Sequence, residues 1–133
     1  MKMDYYFQHS NKIRLTTLRV TVRRRTTILG GPGADTILLE GGTDLRRGVK
    51  ILTDTGADLV RIADSTVAGR LRLLTGDGDD RVELHRNGFT EAASLVVRTG
   101  EGQDWVESIG CTYQSHVRVQ TNDGEDVVYV ATS

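Results

Sequence analysis

Five aspartates, Asp35, Asp58, Asp80, Asp104 and Asp126, recur at intervals of 23, 22, 24 and 22 residues, each two places after a glycine. The six-residue windows that end on them (30–35, 53–58, 75–80, 99–104, 121–126) hold eleven of the chain's eighteen acidic side chains and no lysine or arginine. If these windows stack, carboxylates at the spacing of neighbouring strands repel by roughly 3 kcal/mol per pair at an effective dielectric near 20, and by less when well solvated. Two chemistries relieve that. A hard cation held by six to eight oxygens suits carboxylates and carbonyls, and calcium tolerates irregular geometry better than magnesium. Alternatively, each aspartate accepts hydrogen bonds from backbone N–H groups of its own or the next turn. The residue types leave both open. The inward parity shared with Val60 and Val82 suits the second, while Asp77, Asp79, Glu101, Asp123 and Glu125 are placed to serve the first from the outer side. A carboxylate pair for glycoside hydrolysis is not distinguished, because any two neighbouring rungs would meet its criterion.

The flanking segments are the elements that must position these groups. Apolar residues alternate before each window (Val49 and Ile51, Leu71 and Leu73, Leu95 and Val97, Val117 and Val119) and after it (Val60 and Ile62, Val82 and Leu84, Val128 and Val130). Period two and β-branched residues predict strands with one buried face. The glycine between them opens backbone angles closed to other residues, so the chain can turn a corner. Strand, corner, strand and a connector of six to ten residues, repeated five times, describe coils that gain a core only by stacking. The connectors are too short for a crossover helix. The expected fold is all-β: a single-domain parallel β-helix (β-solenoid) of about five coils of 22–24 residues, with a short third strand near Thr66 and Val67. Residues 1–25 are expected to form an N-terminal cap and incomplete first coil, with Tyr5, Tyr6 and Phe7 covering the open end, and residues 26–133 the solenoid repeats. The strand edge at "DVVYVATS" has no such cover, which predicts either a longer array or self-association through this uncapped C-terminal edge.

"GGPGADTIL", residues 30–38, matches the nine-residue turn of hemolysin-type (RTX-like) calcium-binding repeats, and the chain resembles that family of bacterial secreted and surface proteins over its five turns. The resemblance implies that Asp35, Asp58, Asp80, Asp104 and Asp126 supply carboxylates to Ca2+ between successive coils, and it implies an extracellular or cell-surface setting. The later turns depart from the motif. Its first glycine, Gly30, becomes Thr53, Thr75, Thr99 and Thr121; its second is kept as Gly31, Gly76 and Gly100 but replaced by Asp54 and Asn122. There is one such turn per coil where the family has two, and coils of this length are closer to right-handed parallel β-helices.

Lysine and arginine number 17 against 18 acidic residues, a formal net charge of -1, so no global basic excess points to nucleic acid. Arg23, Arg24 and Arg25 are a run too short for a nucleic-acid patch and are expected to be solvated. The single cysteine, Cys111, excludes a disulfide framework and is expected to be a small, half-buried hydrophobe. No stretch has the length of a signal peptide's apolar core or a membrane span. His9, His85 and His116 fall in unrelated connectors, where solvated loop roles are expected. Thr53, Thr75, Thr99 and Thr121 predict an inward hydroxyl ladder. Leu29, Leu52 and Leu74 predict an outward apolar ladder, and Trp105 and Tyr129 form an outward aromatic pair for a glycan or protein contact. Together these lead to a non-enzymatic structural or adhesive module with calcium at its acidic turns. The alternatives are a carbohydrate-binding or polysaccharide-degrading β-helix and a ligand-free, self-associating scaffold.

Overall fold

The computed structural model describes residues 4–6, 12–16 and 21–132. No helix occurs among them, and every strand pairs in parallel. Three sheets run along the stack. The first contains Asp4–Tyr6, Thr26–Leu29, Val49–Leu52, Arg70–Leu74, Ser94–Arg98 and Val117–Gln120. The second contains Lys12–Thr16, Thr36–Glu40, Leu59–Ala63, Arg81–His85, Trp105–Ile109 and Val127–Ala131. The third is built of two-residue strands: Thr21–Val22, Asp44–Leu45, Thr66–Val67, Gly88–Phe89 and Thr112–Tyr113. Each coil visits the three sheets in turn, giving a single-domain β-solenoid of about five turns. The segment before residue 26 contributes a strand to each sheet, and Asp4–Tyr6 lies in register with Thr27–Leu29. Phe7 and His9 lie outside the described residues.

Parallel pairing at constant register stacks like positions into columns. Ile51, Leu73 and Val97 form one, Ile37, Val60, Val82 and Val106 another, and Leu45, Val67 and Phe89 a third. All are buried. Burying one such side chain is worth about 1.5–3 kcal/mol, so the columns supply most of what holds coil to coil. Phe89 stacks on Tyr113 with ring centroids 4.7 Å apart, and Ser108, a polar break in the Leu39–Ile62–Leu84 column, shares a 2.7 Å hydrogen bond with the Tyr113 hydroxyl.

At the last described coil the columns are exposed. Val128 and Val130 stand in register with the buried Val106 and Ser108, yet are 48% and 63% exposed. The outward leucines Leu29, Leu52 and Leu74 stack as expected and are half-buried.

Candidate functional site

The corner between the first and second sheets gathers the five recurring aspartates. Its geometry begins with the shared glycines: Gly33, Gly56, Gly78, Gly102 and Gly124 all have φ between 103° and 146°. A β-carbon on Gly78 would lie 1.9 Å from the Gly56 carbonyl oxygen, and one on Gly124 would lie 1.7 Å from that of Gly102. Both the backbone angle and the close approach of successive turns therefore demand glycine. Two places before, a β-carbon on Gly76 would lie 1.8 Å from the Asp54 carbonyl oxygen, but the second turn accommodates a side chain. Asp54 holds φ 76° where Gly31 and Gly76 hold 100° and 85°.

With the turns packed this closely, each inward carboxylate reaches the backbone of the preceding coil. The Asp35 N–H donates to Asp58 Oδ1 (2.8 Å), Asp58 to Asp80 (2.9 Å), Asp80 to Asp104 (3.0 Å) and Asp104 to Asp126 (3.1 Å). Asp35, Asp58, Asp80 and Asp104 are buried. On the outer side the direction reverses, with Asp79 Oδ1 accepting from the Gln103 N–H at 2.8 Å and Asp77 Oδ1 from the Glu101 N–H at 3.5 Å. Two sets of carboxylates thus fasten neighbouring turns from both sides.

The inner ladder has an electrostatic cost. Burial pushes the Asp80 carboxyl up to about 7, with the Asp58 and Asp104 charges adding to it and the Thr75 hydroxyl and Asp58 N–H opposing. Burial likewise raises Asp58 against the Asp35 N–H and the Thr53 hydroxyl. The second oxygen of Asp80 and the Thr75 hydroxyl are both buried without a hydrogen bond of ordinary geometry. Protonating Asp80 would give that oxygen a proton to share with the neighbouring hydroxyl. Thr53, Thr75 and Thr99 do form the buried hydroxyl column, and the Thr53 hydroxyl donates to the Thr75 carbonyl at 3.0 Å. In the first turn Gly30 takes the threonine position, where a β-carbon would lie 2.1 Å from the Asp35 carboxylate.

Among the described residues, no three histidine, cysteine or acidic side chains converge to hold an ion. The inner Oδ1 atoms face backbone donors, a set that suits a cap better than a cation.

A second corner, before the third sheet, was not legible in the sequence. Thr43, Ser65, Asn87 and Cys111 occupy one buried column there. The Ser65 N–H donates to Asn87 Oδ1 (3.0 Å) and the Asn87 N–H to Cys111 Sγ (3.4 Å), repeating the aspartate arrangement with other residues. Cys111 is fully buried rather than half-buried, with its thiol 3.3 Å from the Leu84 carbonyl. The residues just before this column, Gly42, Asp64, Arg86 and Gly110, all have positive φ, from 52° to 86°. Arg86 donates to both Asp64 oxygens, at 2.6 and 2.9 Å.

The outward face of the second sheet is a charge-paired strip. Arg61 lies between Glu40 and Glu83, Arg81 pairs with Glu83, and His85 Nε2 is 2.7 Å from Glu107 Oε2. His85 is therefore a strand residue held by a carboxylate rather than a solvated loop histidine, because its coil turns one residue later than the spacing predicts. Trp105 and Tyr129 are both exposed on this face, but the Arg81 guanidinium lies 5.5 Å over the indole ring and occupies one stacking surface. No helix among the described residues is long and apolar enough to cross a membrane. The chain matches no protein-family model, no curated protein and no solved structure.

Proposed function

We propose that this chain is a non-enzymatic structural module, a stacking scaffold whose acidic corner fastens coil to coil and whose last described coil receives a second copy. The observation that carries this reading is the set of unfilled bonding positions on the last described coil. Every aspartate N–H from Asp35 to Asp104 donates to the next coil's carboxylate, whereas the Asp126 N–H has no hydrogen bond among the described residues. Val128 and Val130 extend core columns that no described residue covers. An apolar strand edge of this kind is a template for further pairing, and the strand spacing and columns it continues are those of this chain.

Sedimentation velocity across a range of protein concentrations tests the reading. Concentration-dependent association is expected, and it should be lost in Val128→Asp or Val130→Lys while circular dichroism still reports a folded β protein. A monomer at every concentration would overturn it. Calcium added to chelator-treated protein separates the two roles of the corner. A cap predicts the same thermal midpoint with and without the ion. Saturable calcium heat that disappears in an Asp80→Asn, Asp104→Asn variant would instead make the corner a metal-coupled lock.

A further inference from the structure

Stacking also concentrates positive charge. A groove of about 720 Å³ opens where the third sheet turns into the first, walled by Arg25, Arg46, Arg47, Lys50, Arg70 and Arg72, with no acidic side chain among the described residues of its lining. Four small residues, Gly48, Ala68, Gly69 and Ala92, share its lining. Gly69 is required there, since a β-carbon on it would lie 2.4 Å from the Arg47 carbonyl carbon. Asp44 accepts from Arg46 at 2.7 Å. Among the described residues, Arg25, Arg47, Lys50, Arg70 and Arg72 take part in no salt bridge. All the arginines are exposed and Lys50 is half-buried. In a chain of net charge -1 this is a local excess, and among the described residues Asp44 on Arg46 is its one ion pair.

The cations are also ordered. Lys50 pairs in register with Arg72, and a β-carbon on Gly48 would touch the Arg70 backbone and the Arg25 side chain at 3.6 and 3.9 Å, so charges from three successive coils line one channel. Neighbouring rungs are about 4.8 Å apart, close to the length of one pyranose ring in an extended chain. Arginine forks take carboxylate or sulfate in two parallel hydrogen bonds, and a concave cationic wall focuses the field on such a ligand. Among the described residues no aromatic side chain lines the groove, so they offer no stacking platform of the kind that single-stranded nucleic acid uses. We infer that the groove is a binding site for a linear anionic polysaccharide, laid along the stack with one acidic group per coil.

Isothermal titration of the full chain with polygalacturonate fragments, sulfated dextran, neutral dextran and oligo(dT) tests the assignment. Binding to at least one of the two anionic polysaccharides is expected, with none to neutral dextran; which of them binds identifies carboxylate or sulfate as the recognised group. Affinity should fall about 100-fold between 50 and 200 mM salt, the scale for about five released counterions. A Lys50→Gln, Arg72→Gln variant should bind about 30-fold more weakly, the scale for two cations beside an anionic surface. Arg98→Gln, outside the groove, should bind like the parent. Absence of binding to both anionic polysaccharides overturns the inference. So does oligo(dT) binding as tightly as they do, or an affinity unchanged in the folded double variant.

Discussion

At the corner between the first and second strands of each coil the same residue stands in every rung, Asp35 through Asp126. At the corner before the third strand the rungs are Thr43, Ser65, Asn87 and Cys111. In both, a side chain of one coil accepts the backbone N–H of the coil before it. The first corner is tighter, with successive backbones so close that only glycine fits. The second allows Asp64 and Arg86 in the left-handed region beside Gly42 and Gly110. Repetition of one residue type therefore marks the corner with the least room. Where room exists, any acceptor of suitable length completes the bond.

The largest effect should come from testing that difference in room. Gly78→Ala places a β-carbon 1.9 Å from the Gly56 oxygen at φ 134°, so loss of more than about 4 kcal/mol, or of cooperative unfolding in urea, is expected. Gly110→Asn at φ 64° should cost less than about 1 kcal/mol, because asparagine visits that region readily. Equal losses would erase the distinction between the corners.

Next comes the charge that only the first corner carries. The Asp80 pKa is raised from 3.8 to about 7 in the folded chain. The sign follows: its contribution is fully present below pH 3.8, where both states are neutral, and is lost as pH rises through about 7. Thermal stability should therefore fall across that window, by up to about 4 kcal/mol if nothing relaxes around the carboxylate. Asp80→Asn keeps an acceptor for the Asp58 N–H, and should flatten the profile and be the more stable form at pH 8. A profile as steep as the parent's would place the titration elsewhere.

Removing acceptors compares the ladders directly. Asp104→Ala strands the Asp80 N–H in a buried corner and should cost about 1–3 kcal/mol in urea denaturation. Cys111→Ala removes a weak sulfur acceptor from Asn87, with an expected loss of about 1 kcal/mol or less. Smallest of all is Arg86→Gly, which relieves a left-handed backbone and deletes an exposed ion pair. These oppose each other, and the denaturation midpoint should stay where it is.

The same contrast explains what was legible in the sequence. The three-sheet stack follows from alternation such as Leu71 and Leu73 and from the glycine–aspartate spacing, since both repeat in residue type. Even the third strand at Thr66–Val67 could be placed. The second corner could not, because Thr43, Ser65, Asn87 and Cys111 share hydrogen-bonding capacity but no side-chain identity. The Asp77 and Asp79 caps were hidden for another reason: outward parity suggested service to a cation from the outer side, whereas the N–H groups of the next turn lie within reach. The basic groove was invisible because Arg25, Lys50 and Arg72 belong to three separate segments and become neighbours only through register. Arg23, Arg24 and Arg25 are exposed, as a short run should be, but Arg25 also borders a channel that no local run reveals.

The aspartate bonds have a direction in time as well as in space. Each donor N–H belongs to the earlier coil and each acceptor to the later, 22 to 24 residues downstream. On a ribosome the donor is always synthesised first. A coil leaving the exit tunnel can bury its valines and latch its carboxylate on the coil before it, but its own aspartate N–H waits for its successor to emerge. Assembly therefore proceeds as a ratchet with a lag of one coil, and the newest turn is always the loosest.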